Sequence, residues 1–254
     1  MRILISNDDS INAPGIKVLE KIAHTMSDDV WVVAPEVEHS GAGHSLTLGR
    51  PLRVRQISEK RFAVDGTPTD CMQVALKRLL KDKMPDLMLS GVNNGANLGE
   101  DVTYSGTIAA AMEATILGVP SIALSQLVKT GQHAKWSTAE HWAPGIIAQL
   151  LKAGWPKDVL INLNFPNVIA DSVKGIKVVK HGMRHEKGDI TQWCDPRGEP
   201  FYWLASSIRG EKTDEPDTDL ACITESYITL TPLHLDLTHY DTLDHLKKAM
   251  ADDT

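Results

Sequence analysis

The chain has 254 residues, enough for one large domain with a sizeable core, or one domain and an appendage. An apolar fraction of 42% and a charged fraction of 23% are ordinary for a soluble globular protein, and a net charge of −7 argues against duplex nucleic acid as a partner. Three widely spaced cysteines (Cys71, Cys194, Cys222) without a CxxC pair argue against a cysteine-built zinc site and for a reducing compartment.

The first residues run straight into a strand over 2–6, with no signal peptide ahead of it, and no apolar run reaches membrane-spanning length; the cytoplasm is the expected location. A helix follows from about Pro14, with Ile16, Leu19, Ile22 and Ala23 on one face. Strands are predicted over 30–34, 48–56 and 61–64, then a helix over 68–81. A buried strand over 86–90 precedes a helix over 107–117. Strands over 121–125 and 159–165 flank a helix around 140–151. Near-continuous apolar strands alternating with helices predict a parallel sheet covered on both faces. The last third differs: strands over 176–180, 201–204 and 226–230, an irregular charged stretch over 209–219, and a short terminal helix over about 241–250. It reads as a β-rich extension, an arm for a second subunit or a plain loop.

Four segments carry oxygen ligands or glycine. Asn7-Asp8-Asp9 follows the first strand; adjacent carboxylates repel, and a hard divalent cation is their simplest partner. Taken alone, such a pair is more often a solvated turn. Glu38-His39-Ser40-Gly41-Ala42-Gly43-His44-Ser45 follows the second strand, where glycines let backbone approach a ligand. Ser90 to Gly99 holds three asparagines and three glycines in ten residues, a costly composition for a simple linker. Tyr104-Ser105-Gly106-Thr107 opens an Ala-rich helix, whose first N–H groups attract phosphate or simply receive an N-cap. In contrast, Thr67-Pro68-Thr69-Asp70 reads as a structural capping box. Ten histidines are scattered without an HxH or HExxH pattern; His39 and His44 lie near the second segment, and His181 to His185 form a possible distal element.

Asp8-Asp9, Ser40 and Asn93 each follow a predicted strand at its carboxyl end. In a parallel sheet those ends share one edge, where open α/β sheets bind ligands. Separate turns would have no reason to be jointly rich in oxygen ligands.

These segments resemble the SurE (survival protein E) family. The resemblance runs through Arg2 to Asp9, Val32 to Pro35, Ser40-Gly41, Ser45 to Thr47, Gly66 to Cys71, Ser90 to Asn93, Asn97 to Gly99 and Tyr104 to Thr107, and reaches Asn162 to Pro166 and Leu230 to Leu233. It implies a Rossmann-like three-layer sandwich with a mostly parallel sheet and a C-terminal β-hairpin extension used in oligomerisation. On that basis a catalytic core is expected over 1–175, and over 176–254 an extension that returns to the core. The resemblance implies one divalent ion per subunit, magnesium or manganese, held by Asp8, Asp9, Ser40 and Asn93. It further implies a homodimer or homotetramer acting as a 5′/3′-nucleotidase, in some members also an exopolyphosphatase. Two departures from the family pattern concern loop shape: Ser10 stands where glycine is usual, and Ala96 where proline is usual.

The expected reaction is metal-dependent hydrolysis of nucleoside monophosphates. Asp8 or Asp9 is the expected proton acceptor, and Asn97, Ser105, Gly106 and Thr107 the donors around phosphate. A covalent aspartyl-phosphate is a rival route. The competing reading is a nucleotide-binding regulatory module without turnover. However, neither GxGxxG after the first strand nor GxxxxGK[ST] is present, and the acidic pair sits where a dinucleotide would need backbone donors.

Overall fold

The computed structural model describes residues 1–129, 131–184, 190–204 and 215–251. His185, and the part of the irregular stretch before residue 215, lie outside the described residues.

Alternation along the first strand sets the layers. In β1 (Arg2–Ser6), Ile3 and Ile5 point to one face and Leu4 to the other. Ile3 and Ile5 pack with Ile16, Leu19 and Ile22 of α1 (Pro14–His24) and with Ala139, Ala143 and Ile147 of α4 (Trp136–Ala153). Leu4 packs with Cys71 and Met72 of α2 (Pro68–Val74) and with Ile108, Ala111 and Ala114 of α3 (Gly106–Ile116). Two helical layers thus cover both faces of one sheet, the expected three-layer sandwich.

The remaining strands are β2 (Asp29–Pro35), β3 (Val54–Ser58), β4 (Arg61–Val64), β5 (Leu87–Asn94), β6 (Ser121–Gln126), β7 (Val159–Phe165), β8 (Ile176–Val178), β9 (Ile190–Cys194), β10 (Pro200–Leu204) and β11 (Ile228–His234). Nine of them form one sheet in the order β3-β4-β2-β1-β5-β6-β7-β11-β8. Strands β4 to β7 of that order are mutually parallel, whereas β3 and β11 run antiparallel to β4 and β7. The order reverses at β1, which has β2 on one side and β5 on the other, so a topological switch point opens at its carboxyl end.

Several expectations need correction. The strand expected over 48–56 starts only at Val54; Leu48 is exposed, and Pro51 withholds an N–H. The helix over 68–81 turns into a π-helical stretch at Ala75–Leu79. The strand expected over 226–230 runs instead over Ile228–His234, through Pro232. This is tolerated because β8 pairs only as far as Leu230, leaving one side of β11 open there. β9 and a short helix α5 (Asp219–Thr224), capped by Thr218, were not anticipated. The terminal helix α6 (Tyr240–Ala251) has no buried residue. Hairpin β9–β10 stands as a separate exposed sheet, whereas β8, α5 and β11 lie on the main body.

Candidate metal and phosphate site

Asp8 and Asp9 leave the sheet directly after β1. Asp8 is buried; its carboxylate lies against the start of α3, taking a hydrogen bond from the Thr107 hydroxyl and backbone N–H groups of Gly106 and Thr107. Only glycine fits at 106: a Cβ there would lie 2.8 Å from the Asp8 Cβ and 3.0 Å from its Oδ2. Burial nonetheless pushes the Asp8 carboxyl above its usual range, against those hydrogen bonds. Asp9 accepts the Asn94 N–H at 3.1 Å. Its carboxyl is pushed up to about 6, first by burial, then by the Asp8 charge, with Glu38 adding to it.

The other two expected ligands come to the same edge. The His39 N–H donates to the Asp8 carbonyl at 2.8 Å, pinning the loop after β2 against the end of β1. One residue on, Ser40 donates to Glu38 Oε1 at 2.7 Å, the carboxylate whose charge reaches Asp9. Asn93 lies in the last turn-like residues of β5, where the register against β6 shifts between Ser90 and Asn93. Gly91 allows that irregularity: its φ is +134°, and a Cβ would meet the Leu124 carbonyl oxygen at 2.2 Å. The Asn93 amide donates to the Gly95 carbonyl at 2.9 Å, which leaves its oxygen to offer.

The donor set suits a hard cation. Every expected ligand atom is oxygen, and neither aspartate is ion-paired with Lys, Arg or His among the described residues. Asn7 Oδ1, Ser6 Oγ and Ser90 Oγ are buried beneath the pair without a hydrogen-bond partner. Among the described residues no group of three or more His, Cys, Asp or Glu side chains could hold a metal. Two carboxylates with a hydroxyl and an amide nearby make an all-oxygen donor set of the kind hard divalent cations take.

The expected phosphate donors have distinct settings. Ser105 caps α3, accepting the Ile108 N–H at 3.1 Å, which leaves its own proton to donate. Thr107 and the N–H of Gly106 face Asp8. Asn97 is buried: its amide donates to Ser125 Oγ at 2.8 Å, its N–H to Asn164 Oδ1 at 2.9 Å, and its carbonyl accepts from Asn162 and Asn164. Of the residues outside the expected set, Glu38 sat inside a segment already marked by its glycines. Asn162 and Asn164 sat in an apolar strand, where two buried amides at alternate positions were the available signal.

His44 turns away from the carboxylates and bonds to Glu113 on α3, whereas His39 contributes its backbone. The C-terminal part also reaches the site loop. Asp219, fully buried, accepts the N–H groups of Gly99 at 2.8 Å and Gly182 at 2.7 Å. Arg184 donates to the Leu98 carbonyl at 3.0 Å and to Asp101 at 2.6 Å.

A family model described as "Survival protein SurE" matches residues 3–188. The chain is 58% identical to "5′-nucleotidase SurE" of Paramagnetospirillum magneticum over 249 residues, covering 98% of this chain and 95% of that one. It is 54% identical to "5′-nucleotidase SurE" of Parvibaculum lavamentivorans, covering 98% and 91%. The crystal structure of the Sure protein from Aquifex aeolicus superposes with a TM-score of 0.86 at 41% identity, covering 98% of this chain and all of that one. No helix among the described residues is long and apolar enough to cross a membrane.

Proposed function

The chain belongs to the SurE family, and we propose that it hydrolyses nucleoside 5′-monophosphates to nucleoside and phosphate at the carboxyl edge of β1, β2 and β5. The observation that carries this reading is the adjacent carboxylates of buried Asp8 and half-buried Asp9 at the sheet edge, both raised in pKa and, among the described residues, without a cationic side chain to balance them. A site built this way calls for a divalent ion and, through it, for an anionic substrate.

Asp8, Asp9, Ser40 and Asn93 would hold one magnesium or manganese ion. When bound, the ion supplies Lewis-acid polarisation of the phosphoryl group and a more acidic water. The chain does the remaining work. Asp9, the more exposed of the pair, is placed to accept a proton from the attacking water. Ser105 offers its hydroxyl proton and Asn97 its second amide hydrogen to the phosphoryl oxygens. The N–H groups of Gly106 and Thr107 are taken by Asp8, so these two residues serve the reaction by holding that carboxylate in place. 3′-Monophosphates and polyphosphate ends present the same terminal phosphoryl group, and belong to the same proposal. So do a homodimer or homotetramer, with the exposed aromatic hairpin β9–β10 as contact surface, and a cytoplasmic location suited to three free cysteines.

The test is phosphate release from a panel of nucleoside monophosphates with magnesium, manganese or chelator, using wild type, Asp8→Asn and Asp9→Asn. Metal-dependent release lost in both variants supports the proposal. Nucleotide binding without release, from folded protein with either metal, rejects it in favour of a regulatory module.

A further inference from the structure

Helix α3 carries a buried acid that the reaction does not use. Glu113 lies on an otherwise small and apolar helix, with its side chain only 7% exposed. A carboxylate in such a place costs stability unless each oxygen is satisfied. Here both are. The His44 ring Nε2 lies 2.7 Å from Oε2, and the Gln73 amide of α2 donates to Oε1. The His44 hydrogen bond is the main reason the Glu113 carboxyl sits below its usual range, so it is ionised and acceptor-only near neutral pH. The proton in the contact is therefore on His44 Nε2.

His44 is the only side chain by which the glycine-bearing half of the long loop between β2 and β3 reaches this helix in the described hydrogen bonds. That loop, from Glu36 to Arg53, contains no helix or strand and carries Ser40. Over residues 39–45 its other ties to the body use the loop's backbone: His39 N–H to the Asp8 carbonyl, Gly43 N–H to the Tyr104 carbonyl at 2.9 Å, and the Ser45 carbonyl, which accepts the Thr67 hydroxyl at 2.7 Å; the side-chain pairs of Glu36 with Arg55 and of Arg50 with Asp65 lie at the loop's two ends. Gly41 and Gly43, on either side of Ala42, both have positive φ, so the backbone between Ser40 and His44 has wide conformational freedom of its own. α3 meanwhile fixes Asp8 through Thr107 at its first turn. One rigid helix thus carries, six positions apart, the contact that orients Asp8 and the contact that holds the Ser40 loop.

We infer that His44, anchored on Glu113, is a positioning residue that holds Ser40 at the cation site, so that the Glu113–His44 contact sets divalent-metal affinity. This rests on the Asp8–Asp9–Ser40–Asn93 reading above. His44 does not touch the ion or the phosphate. It restricts the loop, and losing it leaves the carboxylates in place with one neutral ligand unplaced.

The experiment is calorimetric titration of the full-length, metal-free protein with manganese alone, in wild type, His44→Ala, His44→Gln, Glu113→Gln, the His44→Ala/Glu113→Gln double variant and Asp8→Asn. Far-UV circular dichroism checks each fold. His44→Ala should weaken manganese binding about 10- to 100-fold, the range for residues that orient metal ligands. His44→Gln, whose amide can still donate to Glu113, should recover most of it. The double variant should be no weaker than His44→Ala alone, because that substitution already removes the contact. Turnover at saturating manganese should stay within a few-fold of wild type while the half-saturating concentration rises. Wild-type affinity in both His44→Ala and Glu113→Gln, with Asp8→Asn binding poorly, overturns the inference and leaves the metal site standing. If His44→Ala fails to fold, wild-type affinity in Glu113→Leu, which cannot accept the Nε2 proton, has the same meaning. No binding by wild type, or unchanged binding by Asp8→Asn, overturns the site and the inference together.

Discussion

The Thr107 hydroxyl donates to Asp8 Oδ1 across 99 residues of sequence, joining the first turn of α3 to the end of β1 in a buried contact. A hydrogen bond to a charged group is worth about 1.5–3 kcal/mol. If it orients Asp8 for the reaction, Thr107→Val should lower kcat/KM roughly 10- to 150-fold, and Thr107→Ser should keep most of it. Steady-state kinetics on a nucleoside monophosphate at saturating metal checks this. Equal loss in the serine and valine variants would point to packing rather than the hydroxyl.

Gly106 has no room for a methyl group beside Asp8 and Pro68. Gly106→Ala should push the Asp8 side chain aside. Misplacement of about 1 Å at a reacting centre costs roughly 100-fold in rate, and overpacking costs about 1–3 kcal/mol of stability. Kinetics and thermal melts on the same preparation separate the two effects; wild-type values in both would refute the crowding.

Ser10 holds a backbone φ of +98°, a region glycine enters freely and other residues do not. Ser10→Gly should therefore stabilise the protein, by about 1 kcal/mol. Urea unfolding with an unchanged slope and a higher midpoint is the expected result.

Metal-free protein should show an inverted pH response at Asp9. The carboxyl is raised to about 6 from 3.8. Between those values the folded protein binds a proton that the unfolded chain does not, so this group's contribution to stability falls as pH rises and grows on acidification. In chelator at pH 7, Asp9→Asn should melt above wild type, and the gap should close as pH falls below 6. A gap unchanged from pH 7 to 4.5 contradicts the shift. A cation competes with the same proton, so manganese affinity should weaken over that window.

Asp219 accepts three backbone N–H groups, those of Gly99, Gly182 and Leu220, with its carboxylate fully buried. Asp219→Asn turns a donor toward at least one of them. It should cost about 1–3 kcal/mol, read as a melting point lower by roughly 2–4 °C for each kcal/mol.

The sheet was readable where one period prevailed. β1, β4 and β7 have the bounds that the sequence predicts. Reading failed where tertiary context decides, as at Pro232, which is acceptable only because β8 has ended beside it. α5 was hidden by its six-residue length, although Thr218 before an apolar Leu220–Ile223 pair marked its start. That Asp8, Asp9, Ser40 and Asn93 meet at one sheet edge was legible because each lies at or beyond the carboxyl end of a strand, and strand ends can be counted in sequence. The Asn97–Asn162–Asn164 network and the His44–Glu113 pair were not. They are meetings of groups 65 to 69 residues apart, the Asn97 backbone with two asparagine amides and one side chain with another, which local pattern does not encode.

The strand order has a consequence for synthesis. β1, made first, lies in the middle of the sheet, and β5, its partner on one side, arrives only after residue 86. β11, the last strand translated among the described residues, is not an edge strand but lies between β7 and β8. A ribosome-bound chain therefore carries unpaired strand edges through most of its translation. A chain that stops before Ile228 leaves one side of β7 open as a template for another molecule, so premature termination should yield aggregates rather than a smaller working enzyme.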